Sequence, residues 1–212
     1  MRPQSLAPLA LLFCLAGPTY AQVDVGVDAP GVSINFDIGA YPDMQVIPGY
    51  PVYYDPNANG NYFFYDGEYW VFTDDNWYAS TWYNGPWVLT DPEVVPEFIL
   101  RVPVQFYRQP PTFFQGWAPN SPPRWGDHWG ASWANQHRGW DQWNHASAPR
   151  PAPLPTYQRQ YSGARYPHSL QEQVSIRTQN YHYQPHDKIT RQHFQQQAKA
   201  APARPAPARA TP

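Results

Sequence analysis

Twelve of the 27 residues in the run NYFFYDGEYWVFTDDNWYASTWYNGPW, positions 61–87, are aromatic. Side chains of this kind each carry about 150–250 Å² of surface to be buried, and Tyr and Trp add a polar tip. A chain holding this run must cover it or use it as a contact surface. Tyr69 and Trp70 are neighbours, as are Trp77 and Tyr78, and Trp82 and Tyr83. Neighbours on a strand point to opposite faces, so a strand reading puts aromatics on both sides of a sheet.

A degenerate repeat supports that reading. Phe64-Tyr65-Asp66-Gly67 followed by Trp70-Val71-Phe72-Thr73-Asp74 is echoed by Trp82-Tyr83-Asn84-Gly85 followed by Trp87-Val88-Leu89-Thr90-Asp91. Asp-Gly and Asn-Gly reach the left-handed conformations that tight hairpins require. Residues 51–90 therefore read as an antiparallel meander of short strands, about five in number. Upstream, Val23, Val25 and Val27, then Val32, Ile34, Phe36 and Ile38, alternate with polar residues and predict two more half-buried strands. The stretch 98–102, between prolines, reads equally as a helical turn or an edge strand.

From 125 to 145 the period changes. Trp125, Trp129, Trp133, Trp140 and Trp143 fall within about 80° of one another on a helical wheel advancing about 100° per residue. This predicts one amphipathic helix whose Trp stripe docks on the sheet. Gly126, Gly130 and Gly139 weaken it, so docking has to hold it in place. The expected fold class is mainly β: a small, aromatic-rich antiparallel meander covered by one C-terminal Trp-striped helix and followed by a disordered tail.

The ends of the chain have different characters. Arg2, an apolar run over 6–16 and Thr19-Tyr20-Ala21 match a secretory leader cut after Ala21. The single cysteine, Cys14, lies in that leader, so the exported chain has no disulfide and rests on apolar burial. Residues 22–145 carry four Arg against fourteen Asp and Glu, whereas 146–212 carry nine Lys and Arg against Glu172 and Asp187. The latter segment opens with APRPAPLP and closes with AAPARPAPARATP. Its poverty in large apolar residues predicts disorder, with a marginal helix over about 169–177. The expected domains are thus a leader over 1–21, a β-domain over 22–145 and a disordered basic tail over 146–212.

Functional motifs are few. His137, Asp141 and His145 are spaced i, i+4, i+8 and could face one metal ion, but a solvated face opposite the Trp stripe accounts for them more simply. Asp55-Pro56-Asn57-Ala58-Asn59-Gly60, with Asp66 in the twelfth position, follows a calcium-loop pattern with Pro56 and a missing terminal Glu against it. A hairpin loop is the plainer reading, and neither a metal nor another cofactor is expected. Nucleophile-elbow, zinc-protease and phosphate-loop motifs are absent from the sequence, and no catalytic residue is assigned. The basic residues of the tail are dispersed, so nucleic acid is not an expected partner. The candidate ligand platform is aromatic: Tyr69, Trp70, Trp77, Tyr78, Trp82, Tyr83 and Trp87 could meet a glycan or peptide if their face is open.

The motifs Tyr62-Phe63-Phe64-Tyr65-Asp66-Gly67, Trp77-Tyr78 and Trp82-Tyr83-Asn84-Gly85-Pro86-Trp87 give this stretch a resemblance to a group of uncharacterised exported proteins of Gram-negative bacteria. The resemblance extends through Arg101-Val102-Pro103-Val104, Arg108-Gln109-Pro110-Pro111 and Trp125-Gly126-Asp127-His128-Trp129-Gly130. It implies an envelope address, periplasmic or secreted, and supplies no activity or site. The functional expectation is a non-catalytic exported interaction or structural module, with an envelope protein as partner and peripheral membrane contact open. The alternative is a carbohydrate- or peptidoglycan-binding module built on the meander.

Overall fold

A computed structural model describes residue 34 and residues 36–200. The leader over 1–21 and the alternating segment from 23 to 32 lie outside these residues. Six strands form one antiparallel sheet in sequence order. They are β1 (Gln45–Val46), β2 (Val52–Tyr54), β3 (Asn61–Tyr65), β4 (Glu68–Thr73), β5 (Asn76–Ser80) and β6 (Val88–Thr90).

Two hairpin turns set the central register. Asp66 and Gly67 join β3 to β4, with φ of 51° and 101°. Positive φ at both positions matches the right-handed twist of the flanking strands. Asp74 and Asp75 join β4 to β5 at φ of 48° and 59°. Aspartate enters this region more readily than most residues with a Cβ. The resulting register places Phe63 opposite Trp70, and Trp70 opposite Ala79. The Asn84-Gly85 copy of the repeat does not make a two-residue hairpin. It lies in the longer connection from β5 to β6, where Gly85 N–H donates to the Trp82 carbonyl.

Alternation then sorts the aromatics. Phe63, Tyr65, Trp70, Phe72 and Trp77 enter one core, while Tyr62, Phe64, Tyr69, Val71 and Tyr78 enter a second on the other face. The first face is covered by residues from 92 to 143, including α1 (Glu97–Leu100), α2 (Trp125–Trp129) and α3 (Ala131–Gln136). The stretch left open between helix and edge strand is therefore α1, a helical turn.

The Trp stripe does pack on its own core, but not as one helix. Gly130, at φ 88° and ψ 178°, ends α2 and starts α3. Gly139 turns the chain again at φ 78°. Trp125 and Trp133 are buried, while Trp129, Trp140 and Trp143 are half-buried. Periodicity places all five on one side and cannot register the breaks, which come from glycines able to leave the helical region.

The second face brings the main correction. Of the segment 146–212 expected as a disordered tail, residues 146–200 are folded and cover the sheet, while residues 201–212 lie outside the described residues. They contain α4 (Leu170–Asn180) and α5 (Lys188–Ala200). Ala152 and Tyr166 are buried in the second core, with Leu154, Tyr157, Tyr161, Ile176 and Tyr183 packed around it. Ile34, Phe36 and Ile38 pack there too, although the described part of that segment is not a strand. Helix accounts for 35% of the described residues and strand for 15%. The expectation of a mainly β protein thus holds for the central sheet but not for the whole.

Polar contacts explain why the tail belongs. The connection over 81–87 is buried or half-buried apart from Pro86, so its backbone groups need partners. Gln158 donates to the Thr81 carbonyl at 2.9 Å and accepts from the Tyr83 amide at 3.2 Å. Gln173 donates to the Gly85 carbonyl at 2.9 Å. The Tyr166 hydroxyl accepts from the Asn84 amide at 3.1 Å. Gln158 and Gln173 are 0% and 1% exposed, so these amides act as internal cross-links between tail and sheet.

Candidate functional site

The aromatic platform is not open. Tyr69, Trp70 and Trp82 are 0% exposed, Trp77 and Tyr83 1%, Trp87 3% and Tyr78 8%. The candidate ligand-binding residues are therefore core residues of two different faces. Area burial decides the matter, since uncovering even one such ring costs about 1.5–3 kcal/mol. Aromatics on both faces follow from the strand period, whereas the cover of the second face does not.

The candidate metal sets do not form either. His137 stacks on Trp133 with ring centroids 4.2 Å apart, and its Nε2 lies 3.6 Å from the Glu93 carboxylate. His145 instead packs against Trp143 and Tyr50. Asp55 accepts the Asn57 amide at 2.8 Å, as a loop-capping aspartate does. Asp66 faces away to the tail. Among the described residues, no group of three or more His, Cys, Asp or Glu could hold a metal ion.

What the fold gathers is a buried polar junction between the β3–β4 turn and the tail. Asp66 is 4% exposed. Its Oδ1 accepts from the Tyr183 hydroxyl at 2.6 Å and the His186 amide at 3.0 Å, and its Oδ2 from the Asp187 amide at 2.8 Å. Three donors on one carboxylate make a strong, directional latch. A Cβ on Gly67 would lie 3.0 Å from the Phe194 ring and 3.6 Å from Tyr181, so the turn is seated tightly between α4 and α5. Asp187 caps α5 by accepting the Ile189 amide at 2.8 Å. Burial raises its pKa, against the lowering effect of the amides it accepts.

Beside the latch, Glu68 is 1% exposed and its Oε2 lies 3.1 Å from His193 Nδ1. Burial opposes a charge on His193, but the field of Glu68 and its hydrogen bond outweigh burial, and the pKa is raised. A raised histidine pKa stabilises the fold below the ordinary value of about 6.5, and that contribution fades as pH rises through the raised value. Asp187 acts in the same sense but in the acid range of carboxylates, so the two windows separate. Thermal melts should therefore lose stability on passing from acidic to alkaline pH across neutrality. His193→Gln should flatten that slope; a variant with the wild-type slope would refute the assignment.

Three polar atoms at this junction are buried without a hydrogen-bond partner among the described residues: Glu68 Oε1, Arg177 Nη1 and Thr190 Oγ1. Burial lowers the Arg177 pKa, and Glu68 acts against that. The guanidinium carbon lies 4.1 Å from the Phe194 ring centroid. A cavity of ≈ 330 Å³ opens next to it. A second cavity of ≈ 670 Å³ is lined by Gln160, Tyr161, Arg165, Tyr166, His168 and Glu172, and its charged residues are exposed.

Little in the sequence announced this junction. Asp66-Gly67 was legible as a turn, and Ser169 with Glu172 three residues on is a capping pair whose Ser169 hydroxyl accepts the Glu172 amide at 3.2 Å. The pairing of Asp66 with Tyr183, 117 positions away, has no local signature. No family model, curated protein or solved structure matches the chain.

Proposed function

We propose that the chain is a non-catalytic exported protein of the bacterial envelope that acts as an interaction or structural module. The observation that carries this reading is where the ionisable groups go. Asp66, Glu68, Asp187 and His193 meet, and their short contacts are to one another and to the protein's own turns and helix ends. Such an arrangement holds a fold together. Export rests on the leader over 1–21 and on the resemblance to exported proteins. Among the described residues, no helix is long and apolar enough to cross a membrane.

The contact surface that suits this reading is the outer edge of β6. Among the described residues this strand pairs only with β5, and Val88 and Leu89 are 37% and 50% exposed. An edge strand with exposed aliphatics accepts an extended segment of another chain by backbone pairing. A glycan-binding role for the meander finds no support in the burial of its rings. A photoreactive residue at position 89 should give cross-links to an envelope protein in cells, and one at exposed Asn135 should not. The exported form should begin at Gln22 and should not sediment with purified peptidoglycan. Equal labelling at both positions, or sedimentation with peptidoglycan, would count against this reading.

A further inference from the structure

We propose that the outer edge of β6 pairs with the β6 edge of a second copy of this chain, joining two sheets into one about a two-fold axis. This rests on the proposed role of the β6 edge and names its occupant. Val88, Leu89 and, on the opposite edge strand, Val46 are the exposed large apolar side chains among the described residues. β6 itself carries no charge. Edge strands that resist pairing with other chains ordinarily carry a charge or a proline within the edge. Among the described residues, the contacts of the N-terminal segment stop short of β6: Asp37 and Ile38 hold Asn84, and Phe36 meets the Trp87 ring at 5.9 Å.

The ladder fixes which groups face outward. Asp74 and Asp75 form a two-residue turn between Thr73 and Asn76, which are register partners. Partners flanking such a turn exchange both backbone hydrogen bonds, and bonded and non-bonded pairs then alternate along the strands. Asn76 and Tyr78 therefore bond to β4, whereas Trp77 and Ala79 bond to Thr90 and Val88 of β6. Leu89 is left with its N–H and C=O directed away from β5. A two-fold axis normal to the sheet brings these groups together as one bonded pair, Leu89 opposite Leu89. Leu89 shares the face of its partner Tyr78, so both Leu89 side chains meet at the rim of the second core. The flanks are symmetric about the same residue. Pro86 and Pro92 each lie three positions from Leu89 and would oppose each other across the axis. Proline has no N–H to give, so the ladder ends there on both sides. Asp91 of one copy would stand opposite Trp87 of the other, which keeps the two carboxylates apart. Pairing β6 with β1 through Leu89 and Val46 would instead set Asp91 opposite Met44, one position from Asp43, an approach of like charges.

Cysteine substitution tests the pairing at its centre. The single cysteine, Cys14, lies in the leader, so in a chain beginning at Gln22 a Leu89→Cys substitution supplies the only thiol. Bonded antiparallel partners have Cα atoms about 5.5 Å apart, within the disulfide range of about 4.4–6.8 Å. Leu89→Cys should therefore form a disulfide-linked dimer under mild oxidation at least tenfold faster than Val46→Cys. The edge is short, so the wild-type dimer is weak and reversible; sedimentation at about 100 μM should show it in equilibrium with monomer. Leu89→Lys sets two ammonium groups opposite each other and should raise the dimer Kd at least tenfold. Position 89 is exposed, so the melting midpoint of the dilute Leu89→Lys protein should stay at the wild-type value. A wild-type chain that remains monomeric, a Leu89→Lys protein that dimerises as the wild type does, or equal oxidation of Leu89→Cys and Val46→Cys would overturn the proposal. So would a mixed disulfide between the two cysteine variants that forms faster than the Leu89→Cys dimer, the mark of head-to-tail pairing. A monomeric chain whose position 89 still cross-links to a different envelope protein in cells removes this inference and leaves the proposed role of the edge standing. Sedimentation with peptidoglycan counts against that role alone.

Discussion

A chain ended after His145 should fail to fold cooperatively. The truncation removes Ala152, Tyr157, Gln158, Tyr161, Tyr166, Gln173 and Tyr183, and with them most of the cover of the second core. Tyr62, Phe64, Tyr69, Val71, Trp82 and Tyr83, all nearly fully buried, would lose that cover. At about 1.5–3 kcal/mol for each large side chain uncovered, the loss is on the order of 10 kcal/mol. That equals the whole stability of an ordinary domain, about 5–15 kcal/mol. The backbone of the 81–87 connection would also lose the amides of Gln158 and Gln173. The truncated protein should show no unfolding baseline in urea and should bind hydrophobic dyes. A midpoint near that of the full chain would mean that the sheet carries itself.

Trp125→Ala should be among the most damaging point changes on the first face. Trp125 is 0% exposed and its ring meets those of Phe72, Trp77 and Phe114 at centroid distances of 5.3, 6.0 and 5.6 Å. Trp129 stacks on it at 4.4 Å. Its Nε1 donates to the Leu100 carbonyl at 3.0 Å, tying α2 to the end of α1. Losing the ring leaves a cavity and a buried carbonyl without its donor, at a cost of about 3–5 kcal/mol. Trp143→Ala, at a half-buried ring, should cost clearly less. Denaturant melts of both variants check this; equal losses would indicate that the stripe is buried uniformly, as an unbroken helix would bury it.

The contrast between the two faces explains how much of this protein was legible. The opposite placement of neighbours such as Tyr69 and Trp70 was legible, because a strand has a fixed period of two. The Trp stripe was legible as a side but not as a helix, because Gly130 breaks the element without altering which residues are apolar. The tail was missed for a chemical reason. Composition arguments weigh Leu, Ile, Val and Phe, whereas this cover uses Tyr rings, buried Gln amides and the Asp66 latch. Amides on buried backbone can order a segment poor in aliphatics, since each unsatisfied backbone group would cost about 1–3 kcal/mol. The candidate site was missed for the same reason, since Arg177 and His193 lie in that segment and Glu68 in the meander.

The central claim is that residues 146–198 are part of the folded domain, and amide hydrogen exchange on the full chain tests it most directly. Peptides from α4, around Gln173, Val174 and Arg177, should be protected nearly as strongly as those from β3 and β4, because both exchange only when the second core opens. Exchange of the α4 peptides at the rate of an unstructured chain, with β3 and β4 still protected, would contradict it.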